Sequence, residues 1–105
     1  MQKSAPYRQL VVESFELDKT SGHKDRVQCR PLPGQVYSTD MLLECSWRMR
    51  DPTQYPIGTR FKVWVREKQK LDCKPHLYCN YRDEIVAVSS SEARALISAI
   101  ARGIA

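Results

Sequence analysis

The nine residues Arg60-Phe61-Lys62-Val63-Trp64-Val65-Arg66-Glu67-Lys68 constrain the fold of this chain more than any other segment. Apolar Phe61, Val63 and Val65 alternate strictly with Arg60, Lys62, Trp64 and Arg66. That period of two is the mark of a β-strand, whose successive side chains point to opposite faces. A strand of this pattern buries one face and wets the other, as antiparallel sheets do. His76-Leu77-Tyr78-Cys79-Asn80-Tyr81-Arg82 repeats the alternation, with Leu77, Cys79 and Tyr81 on one face and His76, Tyr78, Asn80 and Arg82 on the other. The two segments are expected to pair as an antiparallel hairpin across the polar connection 69–74.

The remaining elements follow from local chemistry. Tyr7 to Leu17 carries Leu10, Val11, Val12, Phe15 and Leu17, a β-rich run with imperfect alternation that predicts a strand, bulged if the phase slips. Residues 18–25 are polar, contain Gly22 and read as an exposed connection. Arg26 to Arg30 is expected to pair back, and Pro31-Leu32-Pro33-Gly34 to turn the chain, because proline fixes φ and lacks a donor. Gln35 to Ser38 is expected to resume extended structure. Residues 39–50 admit two parsings: one helix capped by Ser38, or a strand from Met41 to Cys45 followed by a helical turn capped by Ser46. Asp51-Pro52 ends either one, since the residue before proline leaves the α region. Tyr55-Pro56-Ile57-Gly58-Thr59 is a turn, and Ile85-Val86-Ala87-Val88 is a short strand expected to be buried on both sides. Ser89 and Glu92 form a capping box opening a helix from about Ser90 to Arg102. Its inward stripe is Ala93, Leu96, Ile97, Ile100 and Ile104, its solvent side Arg94, Ser98 and Arg102, and Gly103 stops it.

A chain of 105 residues suits one domain. Residues 1–6 are expected to be a flexible terminus and residues 7–105 a single α+β domain. Its expected architecture is a small, curved, mostly antiparallel sheet or partly open β-barrel with a packed C-terminal helix. Hydrophobic residues at 42% and charged residues at 28% disfavour wholesale disorder. With no long apolar run and no signal-like opening, the chain is expected in the cytoplasm, with no membrane partner.

Charge distribution narrows the function classes. The net charge of +5 is concentrated between Arg48 and Lys74, where eight basic residues (Arg48, Arg50, Arg60, Lys62, Arg66, Lys68, Lys70, Lys74) face three acidic ones (Asp51, Glu67, Asp72). Such a local positive field suits a polyanion, and nucleic acid is the commonest in the cytoplasm. The outward face of the hairpin would carry Arg60, Lys62, Trp64, Arg66 and Lys68 beside His76, Tyr78, Asn80 and Arg82. Cations that track phosphates among aromatics on which bases stack are what sequence-tolerant single-strand recognition needs. The competing reading packs Trp64 and Tyr78 under a helix or loop, with Lys and Arg stems snorkelling around them.

Cys29, Cys45, Cys73 and Cys79 are expected as free, buried thiols, since nothing in the sequence implies an oxidising compartment. Cys73-x-x-His76-x-x-Cys79 has soft ligands at equal spacing, with His23 or Cys29 as a fourth, but a strand would turn His76 and Cys79 to opposite faces. Cys73 or Cys79 with His76 or His23 and Asp72 supplies the residue types of a nucleophile, base and orienting acid without any spacing signature. Asp72, Asp83 and Glu84 sit in turn-like stretches among basic residues, where solvation or ion pairing is the ordinary role. With no P-loop, dinucleotide-binding glycines, zinc-protease motif or Ca²⁺ loop, the chain is read as non-enzymatic, without metal or cofactor. The expected function is a binding module for single-stranded or flexible nucleic acid. The alternative is a small regulatory or inhibitory protein that docks on an acidic protein surface through the same face or the terminal helix. Leu96, Ile97 and Ile100 would serve a homodimer if apolar surface is left over.

Overall fold

The alternating segment forms the central strand of a six-stranded, mostly antiparallel sheet that is nearly closed into a barrel, with one C-terminal helix packed on it. The computed structural model describes residues 6–17, 26–69 and 74–103. The strands are β1 (Arg8–Glu16), β2 (Val27–Pro31), β3 (Leu43–Glu44), β4 (Arg60–Lys68), β5 (His76–Cys79) and β6 (Val86–Val88), and the helix is α1 (Ser90–Ala101). They run in the order β2-β1-β4-β5-β3, with β6 also paired to β4. All pairs are antiparallel except β3 with β5. Among the described residues no helix is long and apolar enough to cross a membrane. The expected connection at 18–25, most of that at 69–74, the terminus before Pro6 and Ile104 lie outside the described residues.

The interior is built from the expected inner phase. Phe61, Val63 and Val65 of β4 meet Leu10 and Val12 of β1 and Leu77 and Cys79 of β5, and Cys29, Leu43, Cys45 and Met49 complete the cluster. Of the two parsings of residues 39–50, the strand reading is the one observed, with the strand expected from Met41 to Cys45 shortened to Leu43–Glu44. Ser46 Oγ accepts the Arg48 N–H at 3.3 Å, opening a single 3-10 turn, Trp47–Arg50, whose Met49 is buried in the core. Asp51 then returns to extended backbone, as Pro52 requires.

The helix explains the imperfect alternation of β1. Leu10 and Val12 face the interior, yet Val11 between them is also fully buried. It lies opposite Lys62, on the outer face. The helix α1 packs there against β1 and β4 and buries Ala93. The capping box is formed: Ser89 Oγ accepts the Glu92 N–H at 3.1 Å, and Glu92 Oε1 accepts the Ser89 N–H at 3.0 Å. Ile97 reaches the turn after β2, its Cγ2 3.8 Å from where a Cβ on Gly34 would stand, and Gly34 has φ +88°. Leu96, Ile97 and Ile100 are half-buried.

Three local expectations are corrected. Residues 35–38 do not extend. Gln35 instead turns its side chain back, its Oε1 accepting the Val11 N–H at 2.8 Å and its Nε2 donating to the Val11 carbonyl at 2.7 Å. One amide thereby stands in for the neighbouring strand that Pro31 ends. Gln35→Ala leaves the buried Val11 N–H without that acceptor and is expected to cost about 1–3 kcal/mol, read as a lower urea midpoint at unchanged slope. Second, β5 stops at Cys79, because Asn80 makes a turn: its Oδ1 accepts the Arg82 N–H at 3.0 Å and its carbonyl the Asp83 N–H at 3.1 Å. Tyr81, expected inside, is 56% exposed, since the turn breaks the period of two. Third, β6 is not buried on both faces; it pairs with β4 at the sheet margin, and Ala87 is exposed.

Candidate functional site

The outward phase of β4 gathers the charged and aromatic residues. Register places Gln9 opposite Trp64, Arg66 opposite Tyr78 and Lys68 opposite His76. The parallel pairing of β3 adds Glu44 beside Tyr78. Tyr7, one residue before β1, where Arg8 pairs with Val65, also comes within reach of Arg66. The Arg66 guanidinium stands 5.2 Å from the Tyr78 ring centroid and 6.0 Å from that of Tyr7, and Lys68 Nζ stands 4.9 Å from Tyr78. Each such cation–π contact is worth about 0.5–1 kcal/mol at an exposed site, enough to bias long side chains toward one geometry.

Trp64 occupies a break in the ladder. On that edge of β4, β5 pairs with Val65 to Lys68 and β6 with Arg60 to Lys62, so neither strand reaches Val63 and Trp64. The gap opens into a cleft of about 290 Å³ lined by Lys62, Trp64, Asn80 and Glu84, among others. Trp64 remains 49% exposed. The reading that buries it under a helix or loop therefore does not hold among the described residues. Tyr78 is half-buried and carries the two cations.

Of the residues singled out in the sequence, Trp64, Arg66, Lys68, His76 and Tyr78 come together on this face. Arg60 and Lys62 share it but lie toward α1. Arg60 Nη1 donates to Ser90 Oγ at 2.8 Å. The Glu92 carboxyl is held below its ordinary range, chiefly by the Ser89 backbone and side-chain hydrogen bonds and to a smaller extent by Lys62. Asn80 and Arg82 leave the sheet face with the turn that ends β5. Sequence reasoning missed Tyr7 and Glu44. Tyr7 carried a signal, the outward phase of Gln9. Glu44 stands between apolar Leu43 and Cys45 in the strand parsing of residues 41–45, but nothing in the sequence tells which strand that segment joins. Glu44 opposes the positive face: Lys68 Nζ lies 3.4 Å from its Oε2 and His76 Nε2 3.8 Å from its Oε1.

The thiols lie on the opposite, interior side. Cys29, Cys45 and Cys79 are free and buried. Burial is the main cause that pushes the Cys79 thiol up to about 12, so it is neutral near pH 7. Cys29 on β2 and Cys45 just after β3 share the core cluster and influence each other's titration. Within that pair Cys29 is held up and Cys45 down, the Arg50 guanidinium adding to the lowering at Cys45. His76 faces outward and Cys79 inward, so the two do not converge on one ion. Cys73, Asp72 and His23, the other members of the metal and catalytic alternatives, lie outside the described residues. Among the described residues no three His, Cys, Asp or Glu side chains are grouped to hold a metal. Comparison with known proteins finds no matching family model, no matching curated protein and no matching solved structure.

Proposed function

We propose that this protein is a non-enzymatic binding module that engages single-stranded or flexible nucleic acid through the outer face of β4 and β5. The observation that carries the reading is an exposed tryptophan, Trp64, in line with Arg66 and Lys68 on one strand face. Base stacking on an aromatic contributes about 1–3 kcal/mol per base without demanding a sequence. Trp64 is the stacking platform, while Tyr78 with its two cations holds the phosphate-facing charges in place. Lys62 extends the cationic row on the other side of Trp64. Arg60, engaged with Ser90, contributes to helix docking more than to phosphate contact.

A polarisation titration of labelled single-stranded DNA, single-stranded RNA and duplex tests the reading at about 50 and 200 mM salt. Single strands are expected to bind more tightly than duplex. For the three cations Lys62, Arg66 and Lys68 the log–log salt slope should be about −2, since each neutralised phosphate of a single strand contributes roughly −0.7. No binding at the lower salt, or binding indifferent to salt, would refute it. Glu44→Gln removes a carboxylate paired with Lys68 and is expected to tighten single-strand binding about 1.4- to fivefold. That gain matches the 0.2–1 kcal/mol of an exposed ion pair. Weaker binding in this variant would mean that Glu44 positions Lys68 rather than opposing it.

A further inference from the structure

Around the barrel mouth from Trp64 lies a larger cleft, about 770 Å³, within the range of small-molecule sites. One wall is the 3-10 turn Trp47–Arg50 and the other the chain from Tyr81 to Ile85. Residues three apart in a 3-10 turn eclipse one another, which sets Trp47 and Arg50 on the same edge while Met49 anchors the turn in the core. Trp47 is 63% exposed and Tyr81 56%, so each wall offers a large aromatic to solvent. Arg48 and Arg82 add two exposed cations to the lining, and Asp83 and Glu84 supply acceptors. The cleft continues the sheet face, because the Tyr81 ring centroid is 6.0 Å from that of Tyr78.

We propose that this cleft is a nucleotide subsite: it takes one base against Trp47 and Tyr81 and the adjoining phosphate on Arg48 and Arg82. Aromatic walls without cations would suit an apolar ligand, and cations without aromatics a bare anion; a nucleotide needs both. Asp83 and Glu84 face the sugar hydroxyls and the amino edge of the base, and they disfavour a dense polyanion in the same space. The inference rests on the reading above in one respect, that the polymer bound is nucleic acid.

The chain has two tryptophans, one in each region, so their indole N–H resonances report the two separately. In a ¹⁵N-labelled protein the signals are assigned with Trp47→Phe and Trp64→Phe, then followed during titration with adenosine monophosphate, inorganic phosphate and a thymidine octanucleotide at constant ionic strength. The octanucleotide is expected to move both indoles and the mononucleotide to move Trp47, with inorganic phosphate moving Trp47 far less. Arg82→Ala, at an exposed turn position, should raise the mononucleotide concentration needed for the Trp47 shift about tenfold, the loss of one charge-assisted hydrogen bond. Movement of Trp64 alone would overturn the subsite and leave the sheet-face reading standing. Movement of Trp47 alone would support the subsite and remove the sheet face. If inorganic phosphate reproduces the full Trp47 shift, the nucleotide assignment falls, and if neither indole moves, both proposals fall.

Discussion

Phe61→Ala is expected to lower folding stability by about 3–5 kcal/mol, the range measured when a buried aromatic is truncated in a core that cannot collapse around the gap. Phe61 is fully buried on the central strand, opposite Val12 of β1 and Ala87 of β6. Its ring also meets Tyr55 edge to face, with centroids 5.1 Å apart and planes at 78°, a geometry worth about 0.5–1.5 kcal/mol beyond burial. Tyr55 lies in the connection before β4 and lines the larger cleft, so the truncation also removes support from the lining of that cleft. Phe61→Leu keeps most of the volume and should cost less than the alanine change. Urea denaturation of the three proteins measures both differences. A loss below about 1 kcal/mol for Phe61→Ala would contradict its place at the centre of the core.

Trp64→Ala is expected to weaken single-strand binding at least about tenfold while the melting temperature stays close to that of the parent. The binding loss follows from one stacked base at about 1–3 kcal/mol. The preserved fold follows from exposure, since a half-exposed residue at a break in the ladder leaves no internal cavity when shortened. Trp64→Phe should restore part of the affinity, because a smaller ring still stacks, whereas Trp64→Leu should restore little although it is apolar. In the Trp47→Phe background, oligonucleotide should quench the remaining tryptophan fluorescence. Equal affinities of parent and Trp64→Ala would assign Trp64 no part in binding and turn attention to an acidic protein partner. A stoichiometric copurifying protein would then distinguish that alternative, in which charge attracts and no base stacks.

The strands with a clean period were legible from residue types. Phe61, Val63 and Val65 recur with a period of two, which a helix would scatter over several faces, and β4 has the boundaries that this pattern implies. The Ser89 and Glu92 box likewise located the start of α1, because both capping bonds lie within four residues of each other. The alternation after Cys79 misled, since Asn80 captures the Arg82 N–H and the period of two no longer describes the chain. The expected site was legible to the same degree. Trp64, Arg66 and Lys68 share a face by period alone, and Tyr78 and His76 join them once β4 and β5 form a hairpin. Asn80 and Arg82, in the turn that ends β5, do not.

By itself, the sequence determined the α+β class, the central strand, the inner set of that strand and the capped helix, because propensity, periodicity and capping act over a few neighbouring residues. The tertiary structure alone decided the rest. Val11 is buried because α1 crosses the outer face of β1, and Gln35 serves as a strand partner because the turn after Pro31 returns it to Val11. Glu44 meets Lys68 across 24 residues of sequence separation, through a parallel pairing too short to leave a pattern. Trp64 stays open because β5 and β6 share one edge of β4 and leave a gap between them. Each of these depends on where a distant segment lands, and chain closure over such distances is encoded by the packing of the whole core rather than by neighbours in sequence.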